Sequence, residues 1–229
     1  MNNKPSLPIF ANVVVALSIG LCAVANAQEA KPGDPAAGQK KAEMCNGCHA
    51  IDGYRGSFPE VYKVPKIAGQ NAEYIVAALT EYRKGERKHP SMRAIAGSLS
   101  DQDMADLAAY FEQLGKAGQE GSKQADAAAH PAPAHVASLL EKANCASCHG
   151  ANFSKPITPA YPKLAGQYAD YLYYALKAYQ TDHNALIGRN NAIMMGMARP
   201  FTHAQIRDIA DYLASLPGEL KTVQQPRFR

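Results

Sequence analysis

The feature of this 229-residue chain that most constrains its fold is an internal repeat. Four blocks recur in the same order, at residues 44–49 and 144–149, 65–70 and 162–167, 74–79 and 171–176, and 92–114 and 194–216. The offsets between the copies are 100, 97, 97 and 102 residues, so only small loop changes separate them. Such a repeat indicates a duplicated domain in which each copy folds around its own core.

The first 27 residues predict a secretory signal peptide. A lysine precedes an apolar run at 9–24, and Ala25-Asn26-Ala27 matches the small-x-small cleavage pattern. Cys22 follows Leu21, where lipoprotein processing requires a small side chain, so we assign Cys22 to the cleaved signal. We expect cleavage near Ala27 and export to the periplasm.

The composition of the remaining chain indicates two domains, a linker between them and a C-terminal tail. A segment between the copies is rich in Gly, Ala and Pro and lacks apolar periodicity, as flexible linkers do. The C-terminal residues are expected to fray. The predicted parts are a signal peptide at 1–27, domain one at 28–114, a flexible linker at 115–134, domain two at 135–220 and a C-terminal tail at 221–229.

Helical signals dominate both copies. Asp34-Pro35 predicts an N-cap and a first-turn proline that begin a helix running toward Cys45. Capping-box patterns at 100–103 and 202–205 each begin an amphipathic helix. Apolar residues recur there at helical spacing: Met104, Leu107, Ala108, Phe111 and Leu114, and Ile206, Ile209, Ala210, Leu213 and Leu216. No alternating strand pattern competes, so the sequence predicts an all-α fold of two tandem domains.

The charge balance argues against one class of partner. Removing residues 1–27 leaves 23 basic and 20 acidic side chains, which is close to neutral. A nucleic-acid-binding protein typically carries a strong basic excess. We therefore expect no nucleic-acid partner.

Cys-x-x-Cys-His is the attachment signature of c-type haem. It occurs here twice, as Cys45, Cys48 and His49 and as Cys145, Cys148 and His149. Residues three apart face the same side of a helical turn, so both sulfurs can form thioethers with one porphyrin. The adjacent histidine, as a neutral imidazole, is then the proximal iron ligand. The sequence predicts two covalently bound haem c groups.

Three other interpretations of the cysteines remain open, namely a zinc site, disulfide bonds and a redox-active dithiol. Haem attachment is favoured because a histidine directly follows each pair and each pair heads a complete repeat. A thioredoxin-like dithiol would also need a βαβ context, which the sequence lacks.

A methionine at the same place in each copy is the predicted sixth ligand of the iron. Met92 and Met194 each fall in an expected loop just before the last helix of their copy. Met195 and Met197 are rivals in the second copy, although the gapless alignment selects Met194. His89 is a rival in the first copy but has no histidine partner in the second, so we expect it to be solvent-exposed or locally hydrogen-bonded.

Pro65 and Pro162 are predicted to support the proximal histidines. A proline carbonyl that accepts the Nδ1–H of the histidine would fix the ring and raise its basicity. The alternative is a simple turn proline.

These motifs together resemble the class I cytochromes c, and the tandem arrangement is similar to the dihaem cytochrome c4 family. The resemblance rests on the two attachment motifs, on Pro65-x-Ile67-x-Gly69-Gln70, on Met92-x-x-x-Ala96 and on their second copies. It implies two low-spin His/Met haems, a periplasmic location and electron delivery to a terminal oxidase, often with association at the inner membrane. The linker at 115–134 is long for that family, which argues against tightly docked domains.

If a histidine and a methionine bind each iron, neither iron has an open position for a substrate. The protein is then expected to carry single electrons and to perform no bond chemistry of its own. The expected donor is a quinol-oxidising complex or a dehydrogenase, and the expected acceptor is a terminal oxidase. Two alternatives remain. One is a dihaem oxidoreductase, resembling a thiosulfate dehydrogenase or a peroxidase, with catalysis at the second haem. The other is the electron-transfer subunit of a dehydrogenase complex.

A basic cluster lies shortly before Met92, formed by Arg83, Lys84, Arg87 and Lys88. We expect it either to flank an exposed haem edge and attract an acidic partner or to be an ordinary solvated helix end.

Overall fold

The computed structural model describes residues 31–116, 130–182 and 184–225. The predicted signal peptide at 1–27 and residues 117–129 of the predicted linker lie outside the described residues. Within the described ranges, no helix combines the length and hydropathy needed to cross a bilayer. The fold is largely helical, as the sequence predicts, with four strands of two residues each among the described residues.

The first copy has the following elements in chain order: α1 (Pro35–Lys41), α2 (Glu43–His49), β1 (Arg55–Gly56), β2 (Tyr62–Lys63), α3 (Ala72–Lys84), β3 (Arg87–Lys88), α4 (Pro90–Gly97) and α5 (Asp101–Lys116). Strands β1 and β2 form an antiparallel pair within the domain. Helix α5 continues two residues beyond Leu114, the predicted end of the domain.

The second copy repeats the helices without the β1–β2 pair: α6 (Ala134–Lys142), α7 (Cys145–His149), α8 (Ala169–Tyr179), β4 (Gly188–Arg189), α9 (Ala192–Ala198) and α10 (His203–Ser215). Each copy therefore consists of a first helix, a short helix with the Cys-x-x-Cys-His motif, a central helix, another short helix and a long last helix.

The predicted helix starts are confirmed. The side chain of Asp34 accepts a hydrogen bond from the backbone N–H of Ala36, and Pro35 occupies the first turn. Both capping boxes are formed, with reciprocal bonds between Ser100 and Asp103 and between Thr202 and Gln205. The first predicted helix is interrupted at Ala42, however, so that α1 and α2 are separate helices.

The last helix of each copy contributes more buried residues to its core cluster than any other helix. All five predicted apolar positions of the second copy are buried, four of them in α10 and Leu216 at its C-cap. In α5 the first four are buried, and Leu114 packs against the core at partial exposure. Helices α1 and α5 cross so closely that a Cβ added at Gly38 would lie 2.0 Å from the carbonyl oxygen of Asp106. Glycine is required at that crossing.

The two domains are docked, and the expectation of loose docking drawn from the linker is wrong. Strand β3 of domain one pairs antiparallel with β4 of domain two, placing Arg87 opposite Arg189. The rings of Tyr62 and Tyr174 stack between the domains with centroids 4.3 Å apart and planes within 10°. The C-terminal segment returns to domain one, where Lys221 N–H donates to the carbonyl of Ala68.

A buried carboxylate joins α1 to α5. Asp106 accepts hydrogen bonds from the backbone N–H of Asp34 at 2.9 Å, from the Lys41 ammonium at 2.7 Å and from the Gln102 amide at 2.9 Å. The Asp34 N–H, followed by Lys41, lowers the pKa of Asp106 below its ordinary value. A carboxyl whose pKa is lowered by folding stabilises the folded state above its ordinary pKa, and this contribution is lost as the pH falls.

We predict that D106N lowers the free energy of unfolding at pH 7 by about 1–3 kcal/mol, because a buried charge-assisted hydrogen-bond set is broken. Denaturant unfolding measures this difference. It should shrink as the pH falls below about 3.9, the ordinary aspartate value, because protonation weakens the same bonds in the parent protein.

The matched control is D208N, at the equivalent and half-exposed position of α10. Equal losses for the two variants, or a D106N loss that does not depend on pH, would contradict this account of Asp106.

Candidate haem sites

The two cysteine motifs lie on short helices at equivalent places in the two domains. Cys45 and Cys48 face the same side of α2, and Cys145 and Cys148 lie at the start and near the end of α7. All four thiols are unbridged and half-buried. The cysteines are thus free for other chemistry, and a disulfide is not formed in either pair.

The thiol environment also differs from that of a catalytic dithiol. Burial raises the pKa of Cys45 to about 11 and raises the pKa of Cys145 above its ordinary value. A redox-active dithiol has the opposite shift, toward the thiolate. Across the described ranges, no group of three or more His, Cys, Asp or Glu side chains clusters as a zinc site requires.

Each motif histidine is held by the proline carbonyl that the sequence singles out. His49 Nδ1 lies 2.8 Å from the carbonyl oxygen of Pro65, and His149 Nδ1 lies 3.1 Å from that of Pro162. A carbonyl can only accept, so Nδ1 carries the proton in both rings. In the neutral tautomer this leaves the Nε2 lone pair available to a metal.

Burial keeps both imidazoles neutral. Desolvation lowers the pKa of His49 and of His149, and the proline carbonyls oppose this shift only in part. A neutral imidazole with a fixed tautomer is the form in which histidine binds iron.

The candidate methionines lie in helices, and their expected placement in loops is wrong. Met92 is the third residue of α4 and Met194 is the third residue of α9. In each helix the N-cap side chain accepts a hydrogen bond from the methionine N–H, at 3.3 Å from His89 Nδ1 and at 3.1 Å from Asn191 Oδ1. Capping by these two residues explains why short helices form where loops were expected.

The same contacts account for His89. The expectation of a local hydrogen bond is confirmed, since the ring caps α4. Its equivalent in the second domain is Asn191, which lies 102 residues later, the offset of the last repeated block. Both residues cap a short helix, but one is a histidine and the other an asparagine. A comparison of residue types alone therefore did not pair them.

In the second domain the N-cap geometry distinguishes three nearby methionines. Met194 has the position in its helix that Met92 has in the first domain, and both side chains are half-buried. Met195 is also half-buried, whereas 41% of Met197 is exposed. Structural equivalence therefore supports Met194 as the predicted ligand.

The donor set of each domain fits a c-type haem. Two free thiols on one short helix can take thioether links, a neutral imidazole has Nε2 available, and a soft thioether sulfur lies on a matched helix. The residues that would hold each haem are Cys45, Cys48, His49 and Met92 in domain one and Cys145, Cys148, His149 and Met194 in domain two. Bound there, the haem would supply a one-electron redox centre.

The basic cluster is not a continuous docking surface. Arg87 is only 5% exposed and pairs with Glu81 and the Tyr74 hydroxyl, inside the junction between the domains. Arg83 is paired with Asp101 at 2.6 Å. Lys84 is exposed. The proposal that all four residues attract a partner is therefore wrong, because the β3–β4 pairing buries part of the cluster.

Two glutamines at the domain junction were not assigned a role from the sequence. Gln70 and Gln167 end the repeated Pro-Lys-x-Ala-Gly-Gln block and are both 4% exposed. Each bonds to the backbone of the other domain. Their recurrence in the repeat was a signal, but it did not show which partner they contact.

Comparison with known proteins identifies the class to which this fold and donor set belong. The family model described as cytochrome c matches the chain twice, over residues 35–115 and 133–217. Cytochrome c4 of Azotobacter vinelandii is 32% identical over 227 residues, covering 89% of this chain and 97% of that protein. A thiosulfate dehydrogenase electron acceptor of Stutzerimonas stutzeri strain A1501 is 29% identical, covering 80% of this chain and 83% of that protein.

A solved structure gives the same result. Reduced recombinant cytochrome c4 from Pseudomonas stutzeri matches with a TM-score of 0.55 at 28% identity, covering 81% of this chain and all of that one. The chain belongs to the cytochrome c family, with two tandem domains and two covalently bound haem c groups. It is a dihaem electron carrier of the cytochrome c4 type.

Proposed function

We propose that this protein carries single electrons in the periplasm between respiratory partners, and that a histidine and a methionine are the two protein ligands of each iron. The donor is a quinol-oxidising complex or a dehydrogenase, and the acceptor is a terminal oxidase. The main observation in support of the proposal is that the candidate iron ligands have equivalent positions in the two domains. Each domain has a proline-held imidazole and a methionine at the third position of a capped helix.

This equivalence favours electron transfer over catalysis. If both haems have two protein ligands, neither has an open position for a substrate. Methionine ligation also raises the reduction potential above that of a bis-histidine haem, which suits a carrier near the oxidase end of a chain. The roles of the chain's own residues are then to hold the haem, fix the imidazole and limit access of water to the iron.

The proposed location rests on the predicted signal peptide at 1–27 and on the family. Peripheral association with the inner membrane is part of this proposal. Exposed apolar side chains such as Val61 and Ile157 are available for weak contacts with a redox partner.

We predict that M92L and M194L each convert one haem to a high-spin form, because leucine cannot coordinate iron. Each variant should lose about half of the methionine-to-iron charge-transfer absorbance, in line with one haem in two. Optical and paramagnetic resonance spectra of the oxidised protein measure both effects.

The control variant is M197L, at an exposed position three residues after Met194 on the same helix. Its spectrum should match that of the parent. A normal spectrum for M194L together with loss of the band in M197L or M195L would move the second ligand to that residue.

A second candidate function is acceptance of electrons from a thiosulfate dehydrogenase. The observation that favours it is the similarity to the thiosulfate dehydrogenase electron acceptor of Stutzerimonas stutzeri over most of both chains. In this case the present chain remains a carrier and the oxidation of thiosulfate takes place on its partner.

We predict that thiosulfate alone leaves the oxidised holoprotein unreduced, since neither iron is open to substrate. Adding a thiosulfate dehydrogenase should cause rapid reduction, followed at the haem absorbance, if the second candidate holds. A monohaem cytochrome c is the comparison acceptor. Reduction by thiosulfate without the enzyme would instead support the oxidoreductase alternative.

A further inference from the structure

Two buried glutamines join the domains by matching contacts. Gln167 Oε1 accepts from the backbone N–H of Lys66 at 2.9 Å, and Gln167 Nε2 donates to the Lys66 carbonyl at 2.9 Å. Gln70 makes the same two contacts with Lys163, at 2.9 and 3.1 Å. The glutamines occupy equivalent positions in the repeat, as do the lysines. The junction is therefore symmetric at this point.

Each lysine directly follows a proline that holds a motif histidine. The peptide unit between Pro65 and Lys66 contains the Pro65 carbonyl and the Lys66 N–H. Its carbonyl accepts from His49 Nδ1 at 2.8 Å, while its N–H donates to Gln167 of the other domain. One peptide group thus lies between the histidine of domain one and the glutamine of domain two.

The second copy repeats the arrangement in the opposite direction. The peptide unit between Pro162 and Lys163 accepts from His149 Nδ1 at 3.1 Å and donates to Gln70 Oε1 at 2.9 Å. Each histidine is therefore connected through one peptide unit to a glutamine of the opposite domain.

Hydrogen bonds in such a chain strengthen one another. When an amide N–H donates, the carbonyl of the same unit becomes more negative and is a stronger acceptor. A stronger acceptor at Nδ1 makes the imidazole more electron-rich, and an electron-rich ligand favours ferric over ferrous iron. The glutamine should therefore lower the reduction potential of the haem across the junction.

We propose that Gln70 and Gln167 are positioning residues that tune the haem potentials crosswise, each acting on the haem of the other domain. The inference rests on the proposed function, since it takes His49 and His149 as iron ligands. Docking of the domains then lowers both potentials, because it forms both glutamine contacts.

Other contacts keep the junction closed when one glutamine is altered. The ammonium groups of Lys66 and Lys163 donate to the carbonyls of Gly166 and Gly69 at 2.7 and 2.8 Å. The β3–β4 pairing and the stack of Tyr62 on Tyr174 also remain. Single glutamine variants are therefore expected to stay docked.

The test is a potentiometric titration of the holoprotein carrying Q167L or Q70L. We expect Q167L to shift the midpoint of the domain-one haem upward and leave that of the domain-two haem unchanged, with the reverse for Q70L. Spectra of M92L and M194L assign each midpoint to its domain. Q167E retains an acceptor for the Lys66 N–H, so it should not raise the domain-one midpoint.

A second measurement reports on the imidazole itself. In the reduced protein, the nuclear magnetic resonance signal of the His49 Nδ1 proton should move in Q167L, and that of His149 in Q70L. The control is Y174L, which removes the ring stack of the junction without touching either Pro–Lys peptide. It should not reproduce a crosswise shift confined to one haem.

A shift confined to the haem of the mutated domain, equal shifts of both haems, or no shift would each overturn the inference. These results are separable from failure of the proposed function. If the parent protein lacks the methionine charge-transfer bands, the His/Met proposal itself fails. If the bands are present but the shifts are not crosswise, only the tuning role of the glutamines is wrong.

Discussion

The hydrogen bond from histidine Nδ1 to a proline carbonyl is the interaction on which the rest of this structure depends. It occurs once in each domain, at 2.8 Å for His49 and 3.1 Å for His149. It settles the tautomer, keeps the ring in place and leaves Nε2 available. The adjacent helix supplies the two thiols, and in our proposal these groups and the methionine of the short capped helix hold the haem.

The same proline segments also form the contact between the domains. Because the lysine after each proline bonds to a glutamine of the other domain, the histidine supports and the junction are one continuous structure. The β3–β4 pairing and the C-terminal segment reinforce this arrangement. Docked domains suit a dihaem carrier, since a fixed relation between two redox centres allows an electron to pass between them without diffusion of the domains.

Local patterns predicted most of each domain. The repeat, the caps at Asp34, Ser100 and Thr202, and the apolar spacing in the last helices all depend on residues near one another in the chain, and the structure confirms them. The short methionine helices were missed although Pro90 at the first helical position is a local start signal.

Contacts between the domains could not be predicted from local patterns. Arg87 was expected among surface charges, yet it is buried because strand β3 pairs with a strand about 100 residues away. Gln70 and Gln167 recur visibly in the repeat, but periodicity does not reveal that each bonds to the opposite domain. Interactions of this kind depend on the relative placement of two folded units rather than on the sequence within either one.

The central claim is that each iron is coordinated by a histidine and a methionine. The most direct measurement is a potentiometric titration of the intact holoprotein followed by optical absorbance, with paramagnetic resonance of the fully oxidised form. The account predicts two one-electron steps, two low-spin ferric signals and a methionine charge-transfer band that accounts for both haems. A high-spin ferric signal from either haem, or a band that accounts for only one, would contradict it.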